Sequence, residues 1–231
     1  MQLKNLVLSG FAVFSLMLTL VGTVAAASVV TNGSFEDGTA PGVFLTVNPG
    51  DTDITDWTVV SGNVDYIGSY WVASDGDRSI DLTGNQAGVI SQDFPTVVGR
   101  EYTVTFDLSG NPAGGPALKE LEVSAAGETV PFSYDVVANT TSLTDMKWQQ
   151  ESFNFVATAT TTTITFTSLT PGYFGPALDN VSVDEVLTSP TTKDQCKNGG
   201  WMTFNNPTFK NQGDCVSYVQ SSVNAVANKL K

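Results

Sequence analysis

Two acidic side chains near opposite ends of one region of the chain are the residues best suited to hold a cation. Glu36 lies in an Asn-, Gly- and Asp-containing turn, and Asp179 lies on a predicted strand that follows a Gly-Pro turn. If the first and last strands are neighbours, the two carboxylates converge, and they then need a cation or a proton because like charges in a partly buried site cannot both stay ionised. Calcium suits such an all-oxygen site, which backbone carbonyls near Ser34 and Asn180 could complete. In the alternative interpretation, Asp179 caps a turn and Glu36 is solvated.

A second group of side chains could contact a sugar, whose C–H faces suit aromatic rings and whose hydroxyl pairs suit planar polar groups. Tyr70 and Trp71 lie in a loop bounded by Gly and Ser, so we expect this pair to be exposed, whereas Trp57 and Tyr66 are more typical of a core. Arg78 follows an acidic turn and has the alternative role of closing it through an ion pair. The candidate ligand-binding residues, expected around one shallow groove, are Tyr70, Trp71, Arg78, Asn111 and Tyr173.

Catalysis by carboxylates is the third chemistry to consider. Glycoside hydrolysis needs two carboxyl groups roughly 5 to 10 Å apart across a cleft. Candidates exist, but acidic residues at this density produce pairs by chance; they are Asp65, Asp77, Asp81 and Glu120. The chain contains no histidine, which removes the Ser-His and Cys-His dyads and the commonest zinc ligand. We therefore expect a protein that is not an enzyme.

The charge balance limits the partners. The sequence has 23 acidic and 10 basic residues and a formal net charge of −13. Such an acidic surface argues against nucleic acid and anionic membranes as partners, since both are negatively charged. A surface of this kind favours solubility outside the cell.

The first 27 residues are typical of a secretory signal peptide. Lys4 is followed by a mostly apolar run over residues 6–21, and Ala25-Ala26-Ala27 provides a cleavage site before Ser28. The sequence therefore predicts an exported protein, secreted or held at the cell surface, with no transmembrane segment after processing. In an exported protein, the two cysteines Cys196 and Cys215 are expected to form a disulfide, which should stabilise their loop by roughly 3 kcal/mol in the chain-entropy model.

Residues 28–187 show hydrophobic periodicity of two, punctuated by turns. Tyr102, Val104, Phe106 and Leu108 alternate with polar residues, and the same alternation recurs around Phe153, Ile164 and their neighbours. Ala126-Gly127-Glu128 reads as a hairpin turn. Many short strands with regular turns predict an all-β fold, a β-sandwich of the jelly-roll type.

The composition changes after residue 187. Residues 188–193 are rich in Thr, Ser and Pro and read as a linker, and residues 194–231 form a tail with the two cysteines and an aromatic loop. The tail ends in a predicted amphipathic helix whose apolar stripe is Val216, Val219, Val223, Val226 and Leu230. The polar side of this helix is Ser, Asn and Gln, so its membrane affinity should be low.

Several motifs, in order along the domain, resemble the choice-of-anchor C family of exported bacterial proteins and the related plant cell-wall proteins classed as domain-of-unknown-function 642. The motifs that carry the resemblance are Asn32-Gly33-Ser34-Phe35-Glu36, Trp57-Thr58-Val59, residues 62–67, residues 73–82, Gly110-Asn111-Pro112 and residues 175–183. The tail from Cys196 to Tyr218 resembles a Cys-Lys-Asn-Gly-Gly-Trp motif found at the C-terminus of many exported bacterial proteins.

The resemblance implies a galactose-binding-like jelly roll, similar to carbohydrate-binding modules in which a Glu of the N-terminal turn and an Asp near the last strand hold a structural calcium. In this chain the corresponding residues are Glu36 and Asp179. It also implies that the tail sorts or anchors the protein, with a surface protein as a possible partner. Together these observations predict a non-catalytic module that binds a polysaccharide or cell-wall glycan. The alternatives are a structural or adhesive surface protein, expected to expose an apolar patch, and a glycoside hydrolase, expected to have a deep cleft with paired carboxylates.

Overall fold

The computed structural model describes residues 28–229, with side chains as far as Ser221, so the expected signal peptide lies outside the described residues. Eleven strands and one α-helix lie within this range. The strands are β1 (Phe44–Val47), β2 (Thr58–Ser61), β3 (Val64–Ile67), β4 (Ser79–Asp81), β5 (Val89–Pro95), β6 (Glu101–Gly110), β7 (Leu118–Ala125), β8 (Glu128–Asp135), β9 (Gln149–Val156), β10 (Thr161–Ser168) and β11 (Pro176–Glu185), and the helix is α1 (Gln212–Lys229).

The strands form two antiparallel sheets. The six-stranded sheet has the order β1-β3-β4-β11-β6-β9, and the five-stranded sheet has the order β2-β5-β10-β7-β8. Consecutive strands repeatedly change sheet, as β5 to β6 and β10 to β11 do, which gives a jelly-roll sandwich with its core between the sheets. The predicted all-β jelly roll, with a small disulfide-closed C-terminal loop and a helix, is confirmed.

The core is built from the alternation predicted on β6. Tyr102, Val104, Phe106 and Leu108 are all buried in the main hydrophobic cluster. The Phe106 ring packs edge-on against Phe166 of β10, with the ring centroids 5.3 Å apart, and so joins the two sheets. An aromatic pair of this kind contributes about 1 kcal/mol beyond its buried area. Side chains between these positions point to the opposite face of the six-stranded sheet, where the candidate site lies.

The β7–β8 hairpin follows the turn chemistry predicted from sequence. Ala126 and Gly127 connect the strands with φ angles of 53° and 91°. Positive φ at both central residues is the signature of the type I′ turn, whose twist matches that of the flanking strands.

The N-terminal segment lies beside β11. Val29 N–H donates to the Val183 carbonyl at 2.8 Å, and Val181 N–H donates to the Gly33 carbonyl at 2.8 Å. The contact at Val181 lies where a bulge between Asp179 and Ser182 interrupts the pairing of β11 with β6. The turn that carries Glu36 is therefore held next to the bulged part of the closing strand.

The tail is attached to one end of the sandwich. Its Cys196–Cys215 disulfide is present, with the two Cα atoms 5.8 Å apart. Asn205 Nδ2 donates to the Val186 carbonyl at 2.9 Å, and Arg100 Nη1 donates to the Thr203 carbonyl at 3.0 Å. The predicted boundaries of the 188–193 linker stay a prediction.

Helix α1 confirms the predicted tail helix. Val219 is buried against the disulfide and Val216 is partly buried there, whereas the side chains of Val223, Val226 and Leu230 lie outside the described residues. Among residues 28–229, no helix combines the length and apolarity needed to cross a bilayer.

Candidate functional site

The face of the six-stranded sheet that points away from the core carries a group of carboxylates. Asp65 on β3 alternates with core residues Val64 and Tyr66, and it is the cross-strand partner of Asp81 on β4. One step across the sheet, Asp179 on β11 is the cross-strand partner of Asp107 on β6. Because side chains alternate between faces, all four carboxylates lie on the same side of the sheet.

A cavity of about 190 Å³ lies over the Asp65 end of this face. Its walls combine aromatic rings with a few polar groups, the pattern of a small-molecule site. The lining includes four aromatic residues, Phe44, Tyr70, Tyr173 and Phe174, and four polar residues, Thr46, Asp65, Asn85 and Asn111. Tyr173 is 61% exposed and Phe44 is 48% exposed, so both rings are available at the rim.

Asp65 is the only carboxylate among the residues that line this cavity. Its Oδ1 accepts a hydrogen bond from Thr46 Oγ1 at 2.6 Å. Partial burial raises the pKa of Asp65, and the bond from Thr46 acts in the opposite direction. Asp65 therefore offers an acceptor, or a shared proton, to a ligand hydroxyl in the cavity.

Asp81 lies beneath the cavity and is fully buried. Its Oδ1 accepts from Thr83 N–H at 2.9 Å and Gly175 N–H at 3.0 Å, and its Oδ2 accepts from Asn111 Nδ2 at 2.8 Å. Burial raises the pKa of Asp81 to about 7, although these donors favour the ionised form. Asp81 thus fixes the floor of the cavity and has both oxygens engaged with protein donors.

Lys119 is a buried cation behind the cavity wall. Its Nζ donates to the Gly114 carbonyl at 2.8 Å and to the Phe174 carbonyl at 2.7 Å. Burial lowers the pKa of Lys119, and the nearby carboxylate of Asp81 raises it. By joining two loops, this ammonium group holds Phe174 in place at the cavity.

The second pair of carboxylates holds a loop over residues 73–78. Asp179 Oδ2 accepts from the backbone N–H groups of Ser74 and Asp75 at 2.7 and 3.0 Å. Ser74 Oγ donates to Asp107 Oδ2 at 2.6 Å, so the same loop contacts both acids. Burial, with the Asp107 charge as a smaller contribution, raises the pKa of Asp179 to about 7.

Glu36 holds the other end of this loop. Its Oε1 accepts from Asp77 N–H at 2.8 Å and Arg78 N–H at 2.7 Å. Gly76, the residue before these two donors, has a φ of 63°, and a Cβ at this position would collide with the Glu36 carboxylate. The two carboxylates singled out from sequence therefore hold the two ends of one loop.

These residues fit calcium in the kind of atoms they offer, because all are oxygen donors. The Ser34 carbonyl accepts no hydrogen bond from the described residues, and Glu36 Oε2 is likewise without a hydrogen-bond donor there. Within residues 28–229, however, no three carboxylate, cysteine or histidine side chains are grouped so that they could hold a metal ion together. A cation here would have to be shared between two carboxylates and backbone carbonyls.

Comparison with known proteins identifies the family. The family model described as "Protein of unknown function (DUF642)" matches residues 28–184. The chain belongs to the DUF642 family. Over 177 residues it is also 35% identical to halomucin of Haloquadratum walsbyi, a match that covers 73% of this chain and 2% of halomucin. The DUF642 chain thus spans a very small part of that relative.

Solved structures with similarity to the DUF642 domain include carbohydrate-binding modules. TmCBM61 in complex with β-1,4-galactotriose is 17% identical with a TM-score of 0.42, covering 69% of this chain and 99% of that module. The CBM22-1 xylan-binding domain of Paenibacillus barcinonensis Xyn10C is 13% identical with a TM-score of 0.45, and the match covers 73% of this chain and 100% of that domain. At these values the similarity gives no information about the ligand of the DUF642 domain.

The structure brings together three of the five residues predicted to bind a ligand. Tyr70, Asn111 and Tyr173 all line the cavity of the DUF642 domain. Asn111 is only 4% exposed, and its side chain is held by Asp81 and by Ala113 N–H, which donates to Asn111 Oδ1 at 2.9 Å. Asn111 therefore presents little surface to a ligand and mainly shapes the cavity.

The expected exposure of Trp71 is wrong. Trp71 is 4% exposed, because its indole N–H donates to Ser79 Oγ at 2.7 Å and its ring packs in a small cluster with Ile67, Met146 and Ala177. Its ring lies 5.6 Å from that of Tyr70, which is itself half-buried, so Trp71 supports the Tyr70 ring from behind. The predicted burial of Trp57 and Tyr66, by contrast, is confirmed.

Arg78 lies in a neighbouring groove rather than in the cavity. The groove has a volume of about 840 Å³ and is lined by residues 40–42, 68–73, 76–78 and 143–144. Arg78 Nη1 donates to Tyr66 Oη at 2.8 Å and to the Gly38 carbonyl at 3.3 Å, so its guanidinium joins loops, without an ion pair among the described residues. Tyr70 lines both the cavity and the groove.

The sequence analysis missed the roles of Asp65, Asp107 and Lys119 in this site. A signal for the acids was present, since Asp65, Asp81 and Asp107 each lie between two apolar residues of a strand. In a strand, that pattern places the acid on the face opposite the core. For Lys119 we find no comparable local signal.

Proposed function

We propose that the domain of residues 28–187 binds carbohydrate without catalysing a reaction. The observation that supports this proposal is the cavity itself, where aromatic rings at the rim surround a carboxylate and amide groups on one sheet face. Aromatic rings suit the C–H faces of a sugar, and a few fixed polar groups suit its hydroxyls. A polysaccharide or cell-wall glycan is the corresponding partner.

The geometry favours binding over glycoside hydrolysis. Hydrolysis needs two carboxyl groups that reach the ligand from either side of the bond. Asp65 lines the cavity, but its neighbour Asp81 has both oxygens occupied by protein donors. Asp77 lies on a loop, and Glu120 lies on β7 of the other sheet. Of these four acids, only Asp65 therefore presents its carboxylate to the cavity.

The first prediction tests this proposal through the most exposed aromatic ring. We expect the purified chain to bind one class of glycan on a glycan and polysaccharide panel. We expect Tyr173→Ala to weaken that binding by about tenfold or more, since a buried aromatic contact at a binding site is worth more than about 1 kcal/mol. Titration calorimetry with the best glycan provides the measurement.

Met202→Ala is the matched control for Tyr173→Ala. Met202 is also 61% exposed but lies in the tail, so its truncation should leave glycan affinity unchanged. Binding by neither protein, or equal binding by wild type and Tyr173→Ala, would contradict the proposed cavity. The first of these results would favour the structural or adhesive alternative.

We also propose a structural calcium, held by the carboxylates of Glu36 and Asp179 with the carbonyls of Ser34 and Asn180. The support is that the N-terminal turn is hydrogen-bonded to the bulged part of β11, and that Glu36 and Asp179 hold the two ends of the same loop over residues 73–78. The ion would supply positive charge between two acidic groups and tie the first segment to the last strand.

The second prediction follows from mass action. A ligand that binds only the folded state, present at a free concentration of about 100 times its dissociation constant, stabilises that state by about 2.7 kcal/mol. Excess calcium should therefore raise the melting temperature by several degrees over a chelator control at pH 8. Glu36→Gln should abolish the rise, and Asp184→Asn, a change of the same charge on β11, should preserve it. Identical melting curves of the wild type in calcium and in chelator would rule out the ion.

We further propose that the protein is exported and acts outside the cell or at its surface. The Cys196–Cys215 disulfide supports an oxidising location, since such bonds persist mainly outside the cytosol. Residues 1–27, which carry the predicted signal peptide, lie outside the described residues. A role for the tail in sorting or anchoring, with a surface protein as its partner, stays part of this proposal, as does membership of the choice-of-anchor C group.

A further inference from the structure

We infer that the cavity takes the terminal ring of a neutral glycan and rejects uronic acids, with the rest of the glycan leaving over Tyr70 into the neighbouring groove. This inference rests on the proposed carbohydrate-binding function. It specifies which part of a glycan is bound and which charge the glycan carries, from the size and charge of the cavity.

The size of the cavity indicates a single ring. Its volume of about 190 Å³ is below the roughly 300 Å³ at which pockets for drug-sized ligands begin. Phe174 is fixed at its wall by Lys119, and Tyr70 is fixed by edge-on contact with Phe44, whose ring centroid is 5.7 Å away. Because these walls are held by other residues, we expect the end of a glycan to enter more readily than an internal residue, which is extended on both sides.

The charge of the cavity selects against carboxylates. Asp65 is the single charged side chain among its lining residues, so no lysine or arginine lines it. Lys119, which binds the backbone of the lining residue Phe174, has its ammonium group committed to the carbonyls of Gly114 and Phe174. The carboxylate of a uronic acid would therefore approach Asp65 with no cation to offset the repulsion, and such like-charge contacts strongly disfavour binding.

The groove provides the exit. Tyr70 lines both spaces, and the groove, at about 840 Å³, has more than four times the volume of the cavity. Tyr70 is supported from behind by Trp71, which is itself held by Ser79. A supported, half-buried ring that lines both the cavity and the groove suits a glycan that enters by its end and continues across the tyrosine.

The test uses pairs of ligands that differ only by a carboxylate. The full chain is titrated with methyl galactoside and methyl galacturonide, methyl glucoside and methyl glucuronide, and neutral trisaccharides of galactose and glucose, with ligand-observed NMR for weak binding. We expect the neutral glycoside of the bound pair to bind about tenfold more tightly than its uronide. We expect a neutral trisaccharide to bind more tightly still, and Tyr70→Ala to remove that gain.

Two variants isolate the charge. Asp65→Asn keeps the shape of the side chain and one acceptor oxygen for Thr46 while it removes the negative charge, so it should reduce the preference for the neutral glycoside to about threefold or less. Asp93→Asn makes the same charge change on β5 of the other sheet, where Asp93 is exposed, and should leave the preference unchanged.

The outcomes separate this inference from the proposed function. If no saccharide binds, the proposed function fails and the inference fails with it. If the uronide binds as tightly as the neutral glycoside, the charge selection is wrong while carbohydrate binding stands. If a trisaccharide whose terminal ring carries a bulky 4,6-O-benzylidene group binds as well as the unblocked one, recognition of the glycan end is wrong.

Discussion

Lys119→Met is expected to lower the free energy of unfolding by about 3 kcal/mol at pH 8 and by clearly less at pH 5. The variant removes two hydrogen bonds from a buried ammonium group and leaves Asp81 without the nearby positive charge. A buried polar group left without its hydrogen-bond partner costs about 1 to 3 kcal/mol, and two carbonyls lose their donor here, which methionine packing offsets in part. Urea unfolding at the two pH values provides the measurement.

The pH dependence follows from Asp81. Its pKa in the folded protein is about 7, above its ordinary value of 3.8, so between these pH values the folded state binds more protons than the unfolded state. Stability therefore falls as pH rises through this window, and without Lys119 the ionised Asp81 is less well compensated, so the fall should be steeper. At pH 5 Asp81 is protonated and the missing cation matters less.

Lys193→Met is the control for Lys119→Met. Lys193 is exposed at the end of the 188–193 linker, and a surface change of this type should alter stability by less than about 0.5 kcal/mol at either pH. An equal loss of stability at pH 5 and pH 8 in Lys119→Met would show that the lysine acts through packing and loop contacts alone, and that its charge does not act on Asp81.

Asp179→Ala is expected to cost about 3 kcal/mol when unfolding is measured in chelator. The carboxylate is fully buried and accepts backbone N–H groups from Ser74, Asp75 and Asn180. Each buried N–H group left without an acceptor costs about 1 to 3 kcal/mol of stability. The variant also removes a buried charge and its repulsion with Asp107, and both effects offset part of that cost. The lost hydrogen bonds should outweigh that relief, because three donors depend on one carboxylate.

Two comparisons make the Asp179 prediction specific. Asp184→Ala, on the same strand but only partly buried, should cost less than about 0.5 kcal/mol. Limited proteolysis should cut Asp179→Ala within residues 73–78 faster than the wild type, because that loop loses its attachment at one end. A stability equal to that of Asp184→Ala, with no new cleavage, would show that the loop does not depend on Asp179.

The parts of the fold that sequence predicted well are those set by local pattern. The β6 alternation and the Ala126-Gly127 turn depend on residues close together in sequence, so the period of apolar residues and a glycine between two alternating runs were enough to predict them. The cavity residue Tyr70 was selected on a similar local ground, as an aromatic residue in a loop bounded by Gly and Ser.

Other features depend on contacts distant in sequence. Trp71 was expected to be exposed because its loop is rich in Gly and Ser, but the hydrogen bond to Ser79 and packing against Met146 bury it. The pairing of Asp107 with Asp179 depends on the register of β6 against β11, which the sequence does not specify. A buried lysine such as Lys119 is equally hidden, since its acceptors are the carbonyls of two separate loops.

The contact between the N-terminal segment and β11 also affects how the domain can be placed in a longer polypeptide. Ser28 Oγ accepts from Val183 N–H at 3.1 Å, so the first described residue and the end of the last strand are neighbours. A domain whose two ends lie close together can be inserted into a surface loop of a host protein without forcing the two sides of that loop apart. Such a domain can also be repeated in series with short connections. The same geometry makes a circular permutant, with residues 28 and 187 joined by a short linker and new ends opened in an exposed turn, compatible with the fold.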